Sequence, residues 1–130
     1  MRAQLDVIGI VVEDMGRSLD FYRQLGFDLP SDADGQPHVE AELRGGIRVA
    51  WDTVETIHSF DPEWQPPNGG HRIALSFGVD TPGEVDAAYE QLTAAGYVGY
   101  KAPWDAFWGM RYAIVNDPDG NAVDLFCPNT

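Results

Sequence analysis

One strand-then-helix pattern occurs twice in this chain, and that repetition limits the possible folds more than any other feature. Leu5-Asp6-Val7-Ile8-Gly9-Ile10-Val11-Val12 is an apolar, β-branched run of strand length. After Glu13-Asp14, the residues Met15, Leu19, Tyr22 and Leu25 recur at helical spacing and make one apolar stripe. Gly26 closes the helix, as glycine does just past a helix end, and Phe27 resumes extended chain. The second copy opens with Ile73-Ala74-Leu75-Ser76-Phe77-Gly78-Val79 and then Asp80. Pro82 suits a first helical turn, and Val85, Ala88, Tyr89 and Leu92 form the stripe. Gly96-Tyr97 mirrors Gly26-Phe27, with a second helix longer by about one turn.

Strands follow each helix. The first pair spans Pro37–Leu43 and Ile47–Thr53, joined by Arg44-Gly45-Gly46, a hairpin signal. The second pair spans Arg111–Asn116 and Asn121–Cys127, joined by the turn Asp117-Pro118-Asp119-Gly120. Phe60–Gly70 is rich in proline and glycine and reads as a linker. The expectation is one domain over 1–130, with modules over about 1–58 and 71–130 and a linker over about 59–70. Such a unit used twice gives an α+β fold whose helices cover one sheet face and leave the other to line a cavity. Side-chain alternation puts Val7, Gly9 and Val11 on that free face, with Ile73, Leu75 and Phe77, and with Ala122, Asp124 and Phe126.

At 44% hydrophobic, the chain has enough apolar residues for a core. No apolar run approaches the roughly 20 residues of a membrane span. Met1-Arg2-Ala3-Gln4 lacks the apolar region of a signal peptide. Cys127 is the only cysteine and can form no internal disulfide, which points to a reduced, cytoplasmic setting. A net charge of −13 repels nucleic acid phosphate and anionic membranes, so neither is expected as a partner. The same charge could draw in a cationic or amine-bearing ligand, or serve solubility alone.

The segment Ile10-Val11-Val12-Glu13-Asp14-Met15-Gly16-Arg17-Ser18-Leu19-Asp20-Phe21-Tyr22-Arg23-Gln24-Leu25-Gly26-Phe27 resembles the opening motif of the vicinal oxygen chelate superfamily. That group includes glyoxalases, extradiol dioxygenases, fosfomycin-modifying enzymes and bleomycin-resistance proteins. Asp117-Pro118-Asp119-Gly120-Asn121, followed by Asp124-Leu125-Phe126, resembles its closing hairpin. Three further segments are similar to mitomycin-resistance proteins and related binders of aromatic peptide antibiotics: Gly45 to Thr56, Asp61-Pro62-Glu63-Trp64, and Pro103 to Tyr112. The resemblance implies paired βαβββ modules around a U-shaped groove, and a homodimer whose two grooves are lined by both subunits.

Enzymes of that superfamily hold a divalent metal with His and Glu on the concave face. Here the corresponding places carry Val7, Ile73 and either Trp51 or Asp52, and only Asp124 keeps a carboxylate. Since a catalytic ion needs about three protein ligands, neither a metal nor any other cofactor is expected. The alternative is a metal-dependent isomerase or dioxygenase with a displaced site at His71, Asp52 and Asp124. Ser18, Ser31, Ser59 and Ser76 lie in no nucleophile motif, and Cys127 reads as a buried, inert thiol.

A free face without donors suits an apolar ligand with few polar anchors. Trp104, Phe107 and Trp108 cluster beside Pro103 and Gly109. Trp104 reads equally as core or as ligand contact, whereas Trp108 beside a loop glycine points to the groove mouth. His38 shares a strand face with Glu40 and Glu42, opposite an apolar face of Val39, Ala41 and Leu43. At the groove this polar face could supply a stacking imidazole and carboxylates such as Glu40 for ligand amines, whereas a solvated outer face explains the pattern by itself. The mitomycin resemblance instead implies a quinone held between His38 and Trp108, with Trp51 and Tyr112 as secondary contacts. Arg48 and Arg111 are expected to pair with carboxylates. The expected activity is sequestration of a small flat aromatic antibiotic with no bond broken. A metal-free proton-transfer enzyme with Asp124 or Glu40 as base is a third reading.

Overall fold

A computed structural model describes residues 1–129. The chain forms two compact units, Met1–Asn68 and Gly69–Thr130. In the first, strand β1 (Val7–Val12) leads into helix α1 (Met15–Gln24). Asp14 starts that helix by accepting a hydrogen bond from the Arg17 backbone N–H at 3.0 Å. Gly26 ends it with a φ of +100°, and Gly96 ends the corresponding helix of the second unit with +98°. Both values lie in the left-handed region that only glycine enters without strain.

A short 3-10 helix (Ser31–Gly35), β2 (His38–Glu42), β3 (Arg48–Thr53) and α2 (Val54–His58) complete this unit. The strands make one sheet in the order β1-β3-β2, with β1 parallel to β3 and β2 antiparallel to it. One sheet face is apolar. Ile10, Val12, Val49 and Trp51 are buried there, as are Leu19, Phe21 and Tyr22 of α1. Tyr22, Phe27 and Trp51 meet edge to face, with Trp51 ring centroids 5.4 Å from Tyr22 and 5.6 Å from Phe27.

The second unit contains β4 (Ala74–Gly78), α3 (Pro82–Ala94), β5 (Gly99–Ala106), β6 (Met110–Asn116) and β7 (Ala122–Pro128). Its sheet runs β4-β7-β6-β5, with β4 parallel to β7 and the other pairs antiparallel. Thr81 caps α3 by accepting from the Glu84 N–H at 3.2 Å. Val85, Leu92, Ala113, Val115, Val123 and Leu125 are its buried core.

The mixed α+β architecture is the one expected, and the four strands read after the helices lie within one residue of their observed limits, whereas β1 begins two residues later than the run from Leu5 suggests. Three elements were not placed from the sequence: the 3-10 helix, α2 and β5. The outward face of β4 also requires a correction. Leu75 and Phe77 stand opposite Val123 and Leu125, which are fully buried, so they face the core. Ser76, opposite Asp124, takes the free face instead. Ile73 precedes the strand and is 80% exposed. The bulky residues of this alternating run take the sheet face of Val123 and Leu125, where they are half-buried.

Candidate functional site

In the first unit the register places Val11, Asp52 and His38 in one row across the free face of the sheet, with Gly9, Ala50 and Glu40 in the next. The polar groups of this face bind one another. His38 Nδ1 lies 2.5 Å from Asp52 Oδ1, and His38 Nε2 lies 2.7 Å from Glu40 Oε2. Arg48 donates to Glu40 Oε1 at 2.7 Å and to Asp6 Oδ2 at 2.6 Å. The Asp52 hydrogen bond, then that of Glu40, raises the His38 pKa above its ordinary value. A doubly held ring of this kind is a two-way donor when protonated. Glu40 is held below the usual carboxylate range, first by His38 and then by Arg48, which makes it a poor base.

Trp51 is expected from the sequence as a secondary ligand contact, but it is fully buried on the opposite sheet face against Tyr22 and Phe27. It is a core residue, because β3 alternation sends Trp51 inward and Asp52 outward.

In the second unit, β5 and β6 are joined by the turn Phe107-Trp108-Gly109, closed by the Gly109 N–H donating to Ala106 O at 3.0 Å. The turn presents Phe107 at 97% exposure and Trp108 at 48%. Trp108 meets Tyr112 edge to face at 5.3 Å and Trp104 at 6.1 Å. Tyr112 stacks on Phe126 with ring centroids 6.3 Å apart. One face of Trp104 is taken by Lys101, whose Nζ lies 4.2 Å from the ring centroid. Trp104 therefore backs the cluster, while Trp108 is its open member.

Beside these rings is a recess of about 280 Å³, lined by Ser76, Trp108, Met110, Tyr112 and Phe126. Asp124 lies between two of the lining residues. Its Oδ2 accepts from the Tyr112 hydroxyl at 2.5 Å and from Ser76 Oγ at 3.5 Å. Burial, and then the Asp124 carboxylate, push the Tyr112 pKa up, so the phenol stays a donor. Of the residues assigned from sequence, Trp108, Tyr112, Phe107, Trp104 and Asp124 gather here, and His38 and Glu40 gather on the first unit. Ser76 and Met110 were missed. The pairing of Ser76 with Asp124 was the signal available, since both sit at alternating positions of apolar runs.

The donors present do not fit a metal of the superfamily type. Val7 and Ile73 have no donor atom. The two carboxylates on His38 occupy different ring nitrogens and so do not converge with it on one point. His71 lies outside any strand, with its ring 5.9 Å from that of Tyr100. Among the described residues no group of three or more His, Cys, Asp or Glu side chains could hold an ion.

The family model for the Glyoxalase/Bleomycin resistance protein/Dioxygenase superfamily matches residues 4–125. The chain belongs to that superfamily. Solved superfamily structures share its fold. A glyoxalase/bleomycin resistance protein/dioxygenase from Nocardioides is 25% identical, with a TM-score of 0.74 over 98% of this chain and 85% of the other. A glyoxalase/bleomycin resistance protein/dioxygenase family enzyme from Burkholderia phytofirmans PsJN is 23% identical, with a TM-score of 0.80 over 95% and 98%. A glyoxalase-related enzyme from Fulvimarina pelagi is 22% identical, with a TM-score of 0.78 over 95% and 86%. No functionally curated protein matches this superfamily member. No helix among its described residues is long and apolar enough to cross a membrane.

Proposed function

We propose that this superfamily member binds and sequesters a flat aromatic antibiotic and breaks no bond in it. Candidates are a mitomycin-like quinone and a quinoline-type or bithiazole chromophore. The role is self-resistance, or carriage of the compound during its biosynthesis or export, and the working form is a homodimer. The observation that carries this reading is the aromatic recess of the second unit. Its walls are the rings of Trp108, Tyr112 and Phe126, and its polar groups are few. A recess of that composition gains affinity by burying and stacking a planar ring. The resemblance of the Pro103 to Tyr112 segment to mitomycin-resistance proteins supports it, as does a donor set that fits no superfamily metal.

Titration with such compounds, followed by tryptophan fluorescence, tests the reading. Saturable quenching at micromolar concentration, with the compound recovered unchanged, is the expected result. No quenching by any of the three classes, or a stoichiometrically altered compound, overturns it. Light scattering checks the dimer, which should have the mass of two chains.

A further inference from the structure

We infer that the recess selects its ligand by charge, taking planar aromatic compounds that carry a protonated nitrogen, with Asp124 as the anchor. This rests on the reading of the recess as the binding site. It starts from an imbalance in the Asp124 carboxylate. Both of its hydrogen bonds, from Tyr112 and Ser76, go to Oδ2. Oδ1 accepts none among the described residues. Oδ1 is not among the buried unpartnered atoms, so it is open to a donor that a ligand brings into the recess.

The basic groups of the same sheet are committed elsewhere. Arg111 grips Asp86 through Nε at 2.8 Å and also pairs with Asp105 at 3.3 Å. Lys101 lies over Trp104. A ligand cation is thus the partner that would complete the carboxylate. The walls favour the same choice, since the faces of Trp108 and Tyr112 attract cations through their π systems. A net charge of −13 raises the local concentration of cations and repels anions.

The test compares planar ligands of one shape by calorimetry in a mildly alkaline buffer. Acridine is neutral there, 9-aminoacridine is a cation, and acridine-9-carboxylate is an anion. The cation should bind about tenfold tighter than the neutral compound, and the anion weakest. Asp124→Asn should bring the cation down to the affinity of the neutral ligand. Should that variant fail to fold, the parent protein still decides the matter. The cation's advantage must shrink as salt is raised, because exposed charge attraction is screened. Equal affinities for neutral and cation, or an advantage indifferent to salt and to Asp124→Asn, overturn the charge selection and leave aromatic sequestration standing. No binding by any of the three overturns both.

Discussion

The two units start from one pattern and present opposite kinds of free face. On the first, Asp6, Arg48, Glu40, His38 and Asp52 form an unbroken chain of hydrogen bonds. On the second, aromatic rings frame a recess and one carboxylate oxygen is left over. The scaffolds part after their first helix. After α1, Arg23 ties the chain into an irregular path by donating to Leu29 O at 2.9 Å, Pro30 O at 2.8 Å and Asp34 at 2.7 Å. After α3 the chain instead forms β5, and the turn beyond β5 carries Trp108. An extra strand and its turn, more than the repeated core, give the second unit its aromatic recess.

Substitutions can break this comparison or sharpen it. The largest effect is expected from Trp51→Ala, which empties the first unit's aromatic core and should cost about 3–5 kcal/mol of stability in a denaturant melt. A change under about 1 kcal/mol would contradict its placement in the core. Trp108→Ala should weaken aromatic ligand binding by about 1–3 kcal/mol and leave the melt nearly unchanged. If it unfolds the protein, Trp108 is structural and the contrast between the faces fails. Gly26→Ala and Gly96→Ala should each cost about 1 kcal/mol, and similar amounts, because both impose the same left-handed strain. Clearly unequal losses would show that the helix ends are not equivalent.

The smallest effect concerns pH. The raised His38 pKa means that its network stabilises the fold fully below about pH 6.5, the ordinary histidine value. That contribution fades as pH rises through the higher folded-state value. His38→Gln should therefore narrow the gap to the parent's melting temperature on going from mildly acidic to alkaline buffer. A gap that stays constant would mean that the carboxylates do not hold the ring in solution.

Much of the fold was legible because local chemistry and tertiary demand agree. Asp14, Gly26, Gly96 and the Gly45-Gly46 turn each mark a boundary that the structure respects. β5 escaped because Gly99-Tyr100-Lys101-Ala102-Pro103-Trp104 carries a glycine and a proline, and its pairing with β6 is interrupted by register shifts. The face of β4 was misread because alternation reveals two faces without saying which one meets the helix. The pairing of Arg48 and Arg111 with carboxylates was foreseen and is observed. The closing of His38 between Asp52 and Glu40 was not, because it depends on which residues of β2 and β3 stand opposite one another.

The cation resting on Trp104 has a practical consequence. Lys101 is the chain's only lysine, so an amine-reactive dye would modify one side chain on the sheet that bears the aromatic cluster. A polarity-sensitive dye attached there would report on the surroundings of that cluster by changing colour.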